Sequence, residues 1–206
     1  VECLNEILKE NKKYNFSEIV HATGSAGTQA GLLAGKKYFN FNISVIGICV
    51  RHKGNIQIDK VYNEAKKTCE LLNCEILDKS EVMIDDNYIG TGYGEPTESM
   101  KEAVDLLAKK EAILLDPVYS GKAFAGLIGL IKSKKYKKNE NILFIHTGGA
   151  VSLSAYEWAF WKMLSNKKII CPNNLINIAK KVGTVDAAIV NAGEIFPMES
   201  VHKAVK

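Results

Sequence analysis

The stretch IVHATGSAGTQA, residues 19–30, decides the fold of this chain. A β-prone run, Ile19 to Ala22, leads directly into a loop of glycine and small hydroxyl residues, and the segment Gln29 to Lys37 then predicts a helix. An apolar strand from Ser44 to Val50 is predicted next. Uninterrupted hydrophobic runs of this kind are typical of strands buried on both faces, as in parallel sheets.

The rest of the chain continues this alternation. Helices are predicted at Val1 to Lys12, Ile58 to Leu72, Glu98 to Lys110 behind the cap Thr97, Ala123 to Ser133 and Leu175 to Lys181, and strands at Ala112 to Leu115, Asn141 to Ile145 and Ala187 to Val190. Alternating strands and helices with glycine turns at strand ends indicate an α/β fold with a mainly parallel sheet flanked by helices. Ligands of such sheets bind outside the carboxyl ends of the strands, where we expect all the glycine-rich loops.

Composition narrows the class of protein. The 206 residues suffice for one sizeable core, and the net charge of +4 comes from scattered lysines. The densest basic run, Lys132 to Lys138, follows an apolar helix and is interpreted as a solvated helix end. A nucleic-acid surface would need arginines among aromatic residues, and Arg51 is the only arginine, so we expect no nucleic-acid partner.

The cysteines argue against a metal site and against disulfides. They form no CxxC pair and no zinc-ligand spacing with histidine, and their number is odd: Cys3, Cys49, Cys69, Cys74 and Cys171. With no signal peptide in view, we expect reduced thiols in a cytoplasmic protein. No apolar stretch approaches the roughly 20 residues that a membrane span needs, so no membrane partner is expected.

The loop GSAGT, residues 24–28, is a candidate phosphate-binding site. Gly24 and Gly27 let the backbone approach an anion, and Ala26 between them is also small. Ser25 and Thr28 add hydroxyl donors at the positive end of the following helix. Without a P-loop lysine or a GxGxxG pattern, a monophosphate ester fits better than a nucleoside triphosphate. A tight turn with helix-capping hydroxyls is the alternative.

Four further side chains are candidates for chemistry. Tyr93 and Tyr119 lie in glycine-flanked loops at predicted strand ends, where a phenol can donate a hydrogen bond or relay a proton; half-buried packing is the alternative. His146 is either an acid–base group or a hydrogen-bonded core residue. Lys122 can be interpreted as a lysine that forms a Schiff base.

Four segments taken together resemble the D-cysteine desulfhydrase family. They are HATGSAGTQAGL at residues 21–32, GYG at 92–94, ILLDPVYSGKA at 113–123 and LFIHTGGA at 143–150. The family usually has histidine where Gln29 stands and threonine where Ser120 stands. The order and approximate spacing agree, and the resemblance extends from Val1 to about Tyr156.

This resemblance implies the tryptophan-synthase-β-like fold of fold-type-II pyridoxal 5'-phosphate (PLP) enzymes. The family converts D-cysteine to pyruvate, ammonia and sulfide, and its relatives include aminocyclopropane-carboxylate deaminase and cysteate sulfo-lyase. By resemblance, residues 24–28 would hold the PLP phosphate, and Tyr93 and Tyr119 would face the substrate and the cofactor ring. Ser120 or Thr147 would lie near the pyridine nitrogen. The deaminase relatives carry glutamate after the tyrosine, so Ser120 favours the desulfhydrase.

The family's Schiff-base lysine lies in an N-terminal SGNK-type segment, followed by a serine-bearing loop that holds the substrate carboxylate. Neither is present in this sequence, and Lys122 corresponds to a family lysine that does not form the Schiff base. We therefore expect residues 1–157 to be the C-terminal part of the PLP-binding large domain, without its N-terminal part and most of the small domain. Residues 158–206 form an unassigned tail.

Three hypotheses remain. The first is a PLP-dependent lyase, here a fragment, acting on D-cysteine or a similar small amino acid. The second is a non-catalytic PLP- or phosphate-binding remnant or subunit. The third is an unrelated α/β enzyme of phosphate esters that shares only the glycine loop. The expected protein partner is a second copy in a homodimer or a missing N-terminal segment.

Overall fold

A computed structural model of the chain describes residues 1–160 and 186–191. The helices are α1 Glu2–Tyr14, α2 Gly27–Tyr38, α3 Gly54–Leu72, α4 Glu98–Glu111 and α5 Ser120–Lys132, with short 3-10 turns at Lys79–Glu81 and Ala150–Tyr156. The strands are β1 Phe16–Thr23, β2 Ser44–Cys49, β3 Met83–Asp85, β4 Asn141–His146 and β5 Asp186–Asn191. The predicted helix Leu175 to Lys181 lies outside the described residues.

The strands form one sheet in the order β3-β2-β1-β4-β5. The pairs β1/β2, β1/β4 and β2/β3 are parallel, and His21 in the central strand lies between Gly47 and Ile145. Only β5, among the described strands, runs antiparallel to its neighbour. The predicted α/β fold with a mainly parallel sheet is therefore confirmed. Parallel pairing brings the carboxyl ends of β1, β2, β3 and β4 to one edge of the sheet, where the ligand loops are expected.

Helices cover both faces of the sheet. On one face α1, α2 and α3 pack over strand residues such as Ile19 and Val45, and on the other α4 and α5 pack over Val20 and Ile48. Successive residues of one strand thus belong to opposite cores, because the side chains of a strand point alternately to its two faces. The hydrophobic strand runs are accordingly buried on both sides, which confirms the interpretation of the sequence.

The predicted strand at Ala112 to Leu115 is wrong. Ala112 closes α4 with a left-handed backbone, φ 57°, and the residues after it form no strand although Leu115 is fully buried. A short apolar run cannot distinguish a strand from a buried irregular segment, because both need the same side chains. Tyr119 therefore follows an irregular segment rather than a strand end, and the loop of Tyr93 follows β3 only after a polar turn.

Helix α5 begins at Ser120 rather than at the predicted Ala123. Strand β5 contains the predicted strand Ala187 to Val190, so part of the unassigned range 158–206 joins the sheet beside β4. Among the described helices, none combines the length and the apolar character that crossing a membrane requires.

Candidate active site

The predicted phosphate loop joins β1 to α2. The strand ends before Gly24 and the helix begins at Gly27, so that Gly24, Ser25 and Ala26 form the turn. Ala26 has φ 82°, a left-handed conformation that L-residues rarely adopt. The first helical bond runs from the N–H of Ala30 to the oxygen of Ala26. The earlier N–H groups of the first turn have no helical partner and are available to an anion.

Close packing explains why glycine stands at position 24. A Cβ there would lie 2.9 Å from Val50 Cγ2 and 3.9 Å from Tyr119 Cε1. Because carbon atoms pack at about 3.5–4.0 Å, the first distance would force the loop outward. The second distance places the ring of Tyr119 beside the loop. Ser25, Gly27 and Thr28 are exposed, so both hydroxyls are open to a ligand.

Buried amides support the loop from the side of α2 and α3. Gln57 Nε2 donates to Thr23 Oγ1 at 2.9 Å, and Gln29 Nε2 donates to the backbone oxygen of Met83 at 2.7 Å. A Cβ on Gly47 would clash with Gln29 Oε1, so the glycine leaves room for this amide. Gln29, at the position where the resemblance expects histidine, links α2 to β3 inside the protein.

His21 lies in β1 just before the loop and is fully buried. Its Nδ1 donates to the backbone oxygen of Ala22 at 2.8 Å. Burial lowers the pKa of His21 to about 4, because a charged imidazolium would lose its hydration there. The imidazole is therefore neutral at neutral pH and adds no positive charge beneath the phosphate loop.

The two predicted catalytic tyrosines meet. The phenol oxygens of Tyr93 and Tyr119 are hydrogen-bonded, and their ring centroids lie 6.0 Å apart at an interplanar angle of 66°. The hydrogen bond to Tyr93 and, to a smaller extent, burial raise the pKa of Tyr119 to about 12. Tyr119 is thus protonated at neutral pH. Either phenol can donate in this hydrogen bond, and the hydroxyl that accepts it keeps its own proton for a ligand.

A cation borders this pair. The guanidinium carbon of Arg51 lies 5.4 Å from the ring centroid of Tyr93, within the range of a cation–π contact. The side chain is exposed, and its charge lowers the pKa of Tyr119 against the larger effect of Tyr93. Arg51 gives the rim of the site a positive potential that attracts phosphate and carboxylate groups.

The carboxylate of Asp116 fixes the start of α5. Its Oδ1 accepts the N–H groups of Val118 and Tyr119 at 2.8 and 2.6 Å, and its Oδ2 accepts the N–H and hydroxyl of Ser120 at 2.7 and 2.5 Å. The helix starts at Ser120 because these first N–H groups have a buried acceptor. The Ser120 hydroxyl is itself buried and bound to Asp116. Of the two hydroxyls expected near a pyridine nitrogen, it is the one already engaged.

Thr147 is the other expected hydroxyl, and it is exposed directly after β4. Gly149, with φ 91°, brings the following turn against Asp116: a Cβ on this glycine would lie 3.2 Å from Asp116 Cβ. The loops that carry Ser120 and Thr147 therefore pack against each other. Thr147 is the hydroxyl of this region that a ligand can reach.

His146 is a hydrogen-bonded core residue. Its Nε2 donates to the backbone oxygen of Leu114 at 2.9 Å, and its Nδ1 accepts the N–H of Gly148 at 2.9 Å. Lys122 is also fully buried, and its Nζ donates to the backbone oxygens of Ile89 and Gly92 at 2.6 and 3.0 Å. Both side chains are used inside the protein, which removes the acid–base interpretation of the histidine and disfavours the Schiff-base interpretation of Lys122.

Two residues of the site were missed by the sequence analysis, although each carried a signal. Arg51 follows directly after the predicted strand Ser44 to Val50, and the rule that places ligand loops at carboxyl ends applies to it equally. Asp116 precedes a proline and a helix, the setting in which an aspartate commonly accepts hydrogen bonds from the N–H groups that follow it.

Comparison with known proteins shows the family and the fold of this chain. The family described as "Pyridoxal-phosphate dependent enzyme" matches residues 2–148. Among solved structures, the chain is similar to one described as an ACC deaminase homologue, with 34% sequence identity and a TM-score of 0.68. The match covers 77% of this chain and 48% of that one, so this chain spans about half the length of the protein it resembles.

Proposed function

Because this chain belongs to the pyridoxal-phosphate dependent enzyme family, we propose that it supplies the phosphate-binding and proton-transfer side of a lyase. The proposed substrate is D-cysteine or a similar small β-substituted amino acid, and the products are pyruvate, ammonia and sulfide. One observation carries the proposal: the ring of Tyr119 lies beside Gly24 of the phosphate loop while its phenol binds Tyr93. An anion site and a pair of proton-handling groups thus share one edge of the sheet.

The residues present fit PLP. Gly24, Ser25, Ala26, Gly27 and Thr28 would hold the phosphate, through unpaired N–H groups at the start of α2 and through two exposed hydroxyls. The exposed Thr147 would donate to the pyridine nitrogen, with Ser120 holding Asp116 behind it. When bound, the cofactor supplies an electron sink for the substrate carbanion.

The two phenols would handle the proton. Tyr119 keeps its own proton at neutral pH, because its pKa is raised to about 12. In the proposed arrangement Tyr93 would accept the hydrogen bond from Tyr119 and give its own proton to a reacting atom, and Tyr119 would then stabilise the resulting phenolate. Arg51, next to the ring of Tyr93, would hold an anionic group of the substrate, and its positive charge would also favour the phenolate form of Tyr93.

The choice of a desulfhydrase over a deaminase depends on Ser120. The deaminase relatives carry a glutamate at this position, whereas here a neutral hydroxyl bound to Asp116 stands next to Tyr119. Without a glutamate at position 120, and with the neutral hydroxyl of Thr147 as its partner, the pyridine nitrogen would stay mostly unprotonated, which suits elimination of a good leaving group such as sulfide. The family resemblance also favours a homodimer, which light scattering of the purified chain would test.

A second candidate function is PLP binding without turnover. It is favoured by the contacts of Lys122, whose Nζ is bound by two backbone oxygens. In this case the chain would serve as a binding subunit, and chemistry would need a lysine supplied by another polypeptide segment.

The test is a titration of the purified chain with PLP, followed by assays of sulfide release from D-cysteine and, in parallel, L-cysteine. We expect PLP to bind, the Gly24→Ala variant to bind roughly tenfold more weakly, and the surface variant Lys132→Met to bind as the wild type does. Sulfide release from D-cysteine supports the lyase. Binding without release supports the second candidate, and failure of the wild-type chain to bind PLP overturns both. Mass spectrometry after borohydride reduction identifies any lysine that bonds to the cofactor.

A further inference from the structure

A buried ammonium group binds the backbone of the loop that carries Tyr93 at two points. Lys122 Nζ donates to the backbone oxygens of Ile89 and Gly92, at 2.6 and 3.0 Å. These two oxygens lie on either side of Gly90, which has φ 75°, and the second belongs to the residue directly before Tyr93. The ammonium therefore binds the peptide group that directly precedes Tyr93.

Lys122 and Tyr119 belong to the same element. Tyr119 is the N-cap residue of α5, and Lys122 lies in the first turn of that helix. The carboxylate of Asp116 fixes this turn through the N–H groups of Tyr119 and Ser120. The N-terminus of α5 thus carries Tyr119 and also binds the loop of Tyr93. The positions of both tyrosines therefore depend on this one helix end.

A role in folding alone is a poor explanation for this lysine. Its side chain is 0% exposed, and burial lowers its pKa because a buried ammonium loses hydration. The charge of Glu95 opposes that effect only in part. A hydrophobic residue of similar length would fill the space without burying a charge. What an apolar residue cannot do is bind two carbonyl groups at once and hold a glycine-rich loop in one conformation.

We propose that Lys122 is a positioning residue that holds the phenol of Tyr93 against the phenol of Tyr119. Its importance for turnover rests on the function proposed above, but the positioning itself does not. Lys122 touches neither of the two phenols in the described contacts, and it acts through the backbone of Gly92.

The experiment measures the ionisation of Tyr119 by ¹⁹F NMR, with 3-fluorotyrosine placed at position 119 of the full chain. In the parent protein the hydrogen bond to Tyr93 raises the pKa of this phenol. The other charged groups that face it, Asp116 and Arg51, are unchanged in every variant. We expect Lys122→Met to lower the pKa of residue 119 toward that found in a Tyr93→Phe variant. Lys132→Met, on the exposed end of the same helix, should leave it unchanged.

A second variant, Lys122→Gln, keeps an uncharged NH2 donor group on a shorter side chain and guards against a failure of Lys122→Met to fold. It should give an intermediate pKa, and Lys122→Arg, which keeps charge and donors, should stay closest to the parent. A folded Lys122→Met or Lys122→Gln protein in which the pKa of residue 119 is unchanged would overturn the proposal. So would failure of both variants to fold while Lys122→Arg shows a fully lowered pKa.

The NMR measurement uses neither cofactor nor substrate, so it stands or falls separately from the proposed function. If sulfide release is also found, Lys122→Gln should lower kcat more than it raises KM, because misplaced phenols affect proton transfer rather than anion binding. A change confined to KM would show that the lysine acts on substrate binding and would contradict positioning of the phenol pair.

Discussion

The phenol oxygens of Tyr93 and Tyr119 are hydrogen-bonded to each other although 26 positions separate the two residues in the chain. Each belongs to a different loop, and each loop is fixed by one buried charged side chain, Lys122 for Tyr93 and Asp116 for Tyr119. Because Lys122 and Asp116 lie on either side of Tyr119 in one short segment, the contact between the phenols depends on how that segment folds.

The first prediction concerns the bond itself. Replacing Tyr93 with phenylalanine removes the hydroxyl that is bonded to Tyr119, so we expect the pKa of Tyr119 to fall from about 12 toward the ordinary tyrosine value of about 10. Ultraviolet difference titration at alkaline pH, with Tyr119→Phe as the reference, measures this change. Tyr38→Phe, at an exposed tyrosine of α2, should leave the titration of Tyr119 as it was. An unchanged Tyr119 titration in Tyr93→Phe would contradict the bond.

The second prediction compares two glycines of the phosphate loop. Gly24→Ala would place a Cβ 2.9 Å from Val50 Cγ2, and such overpacking costs about 1–3 kcal/mol in the free energy of unfolding. Gly27→Ala meets nothing within 4 Å and, at the start of α2, should be neutral or stabilise by up to about 1 kcal/mol. Urea unfolding of both variants measures the difference. Equal stabilities would show that the loop has more room than the packing indicates.

A third prediction follows from the neutral state of His21. Its pKa is lowered to about 4 in the folded protein, against about 6.5 when unfolded. Between these values the unfolded chain binds more protons, so stability falls as pH falls from about 6.5 to about 4. The loss from this residue alone should reach roughly 3 kcal/mol at the lower end, to which titrating carboxylates add their own effect.

The measurement is the free energy of unfolding in urea at several pH values for the wild type and for His21→Gln. The substitution should flatten the dependence over this range, whatever it does to stability at neutral pH. His52→Gln, at a histidine that is not buried, should keep most of the slope. Identical slopes for His21→Gln and the wild type would show that the imidazole is charged or hydrated in the folded state.

The fourth prediction concerns the cap of α5. Asp116→Ala leaves three N–H groups and one hydroxyl without their buried acceptor, which should destabilise the protein by roughly 2–4 kcal/mol. Asp105→Ala removes a partly exposed ion pair with Lys109 and should cost less than about 1 kcal/mol. Thermal unfolding of the two variants gives the comparison. The Asp116 variant should also lose the raised pKa of Tyr119, because its helix start is no longer fixed.

Much of the fold could be predicted from the sequence because its determinants are local. Hydrophobic runs such as Ser44 to Val50 and the helix signals around them depend on neighbouring residues alone, and glycines such as Gly24 mark the turn between β1 and α2. The failure at Ala112 to Leu115 has the same origin. Leu114 and Leu115 are buried, and burial does not determine whether the backbone pairs with another strand.

The candidate site also contains features that depend on consecutive residues and features that depend on tertiary contacts. The sequence by itself determined the glycine-rich turn that we propose binds phosphate, since an anion site at a helix start needs only consecutive residues, 24–28. The contact of Tyr93 with Tyr119, the hold of Lys122 on Gly92 and the place of Arg51 beside a phenol were decided by the tertiary structure. Each joins residues far apart in the chain, and only the packing of the loops against the sheet edge brings them within hydrogen-bonding or cation–π distance.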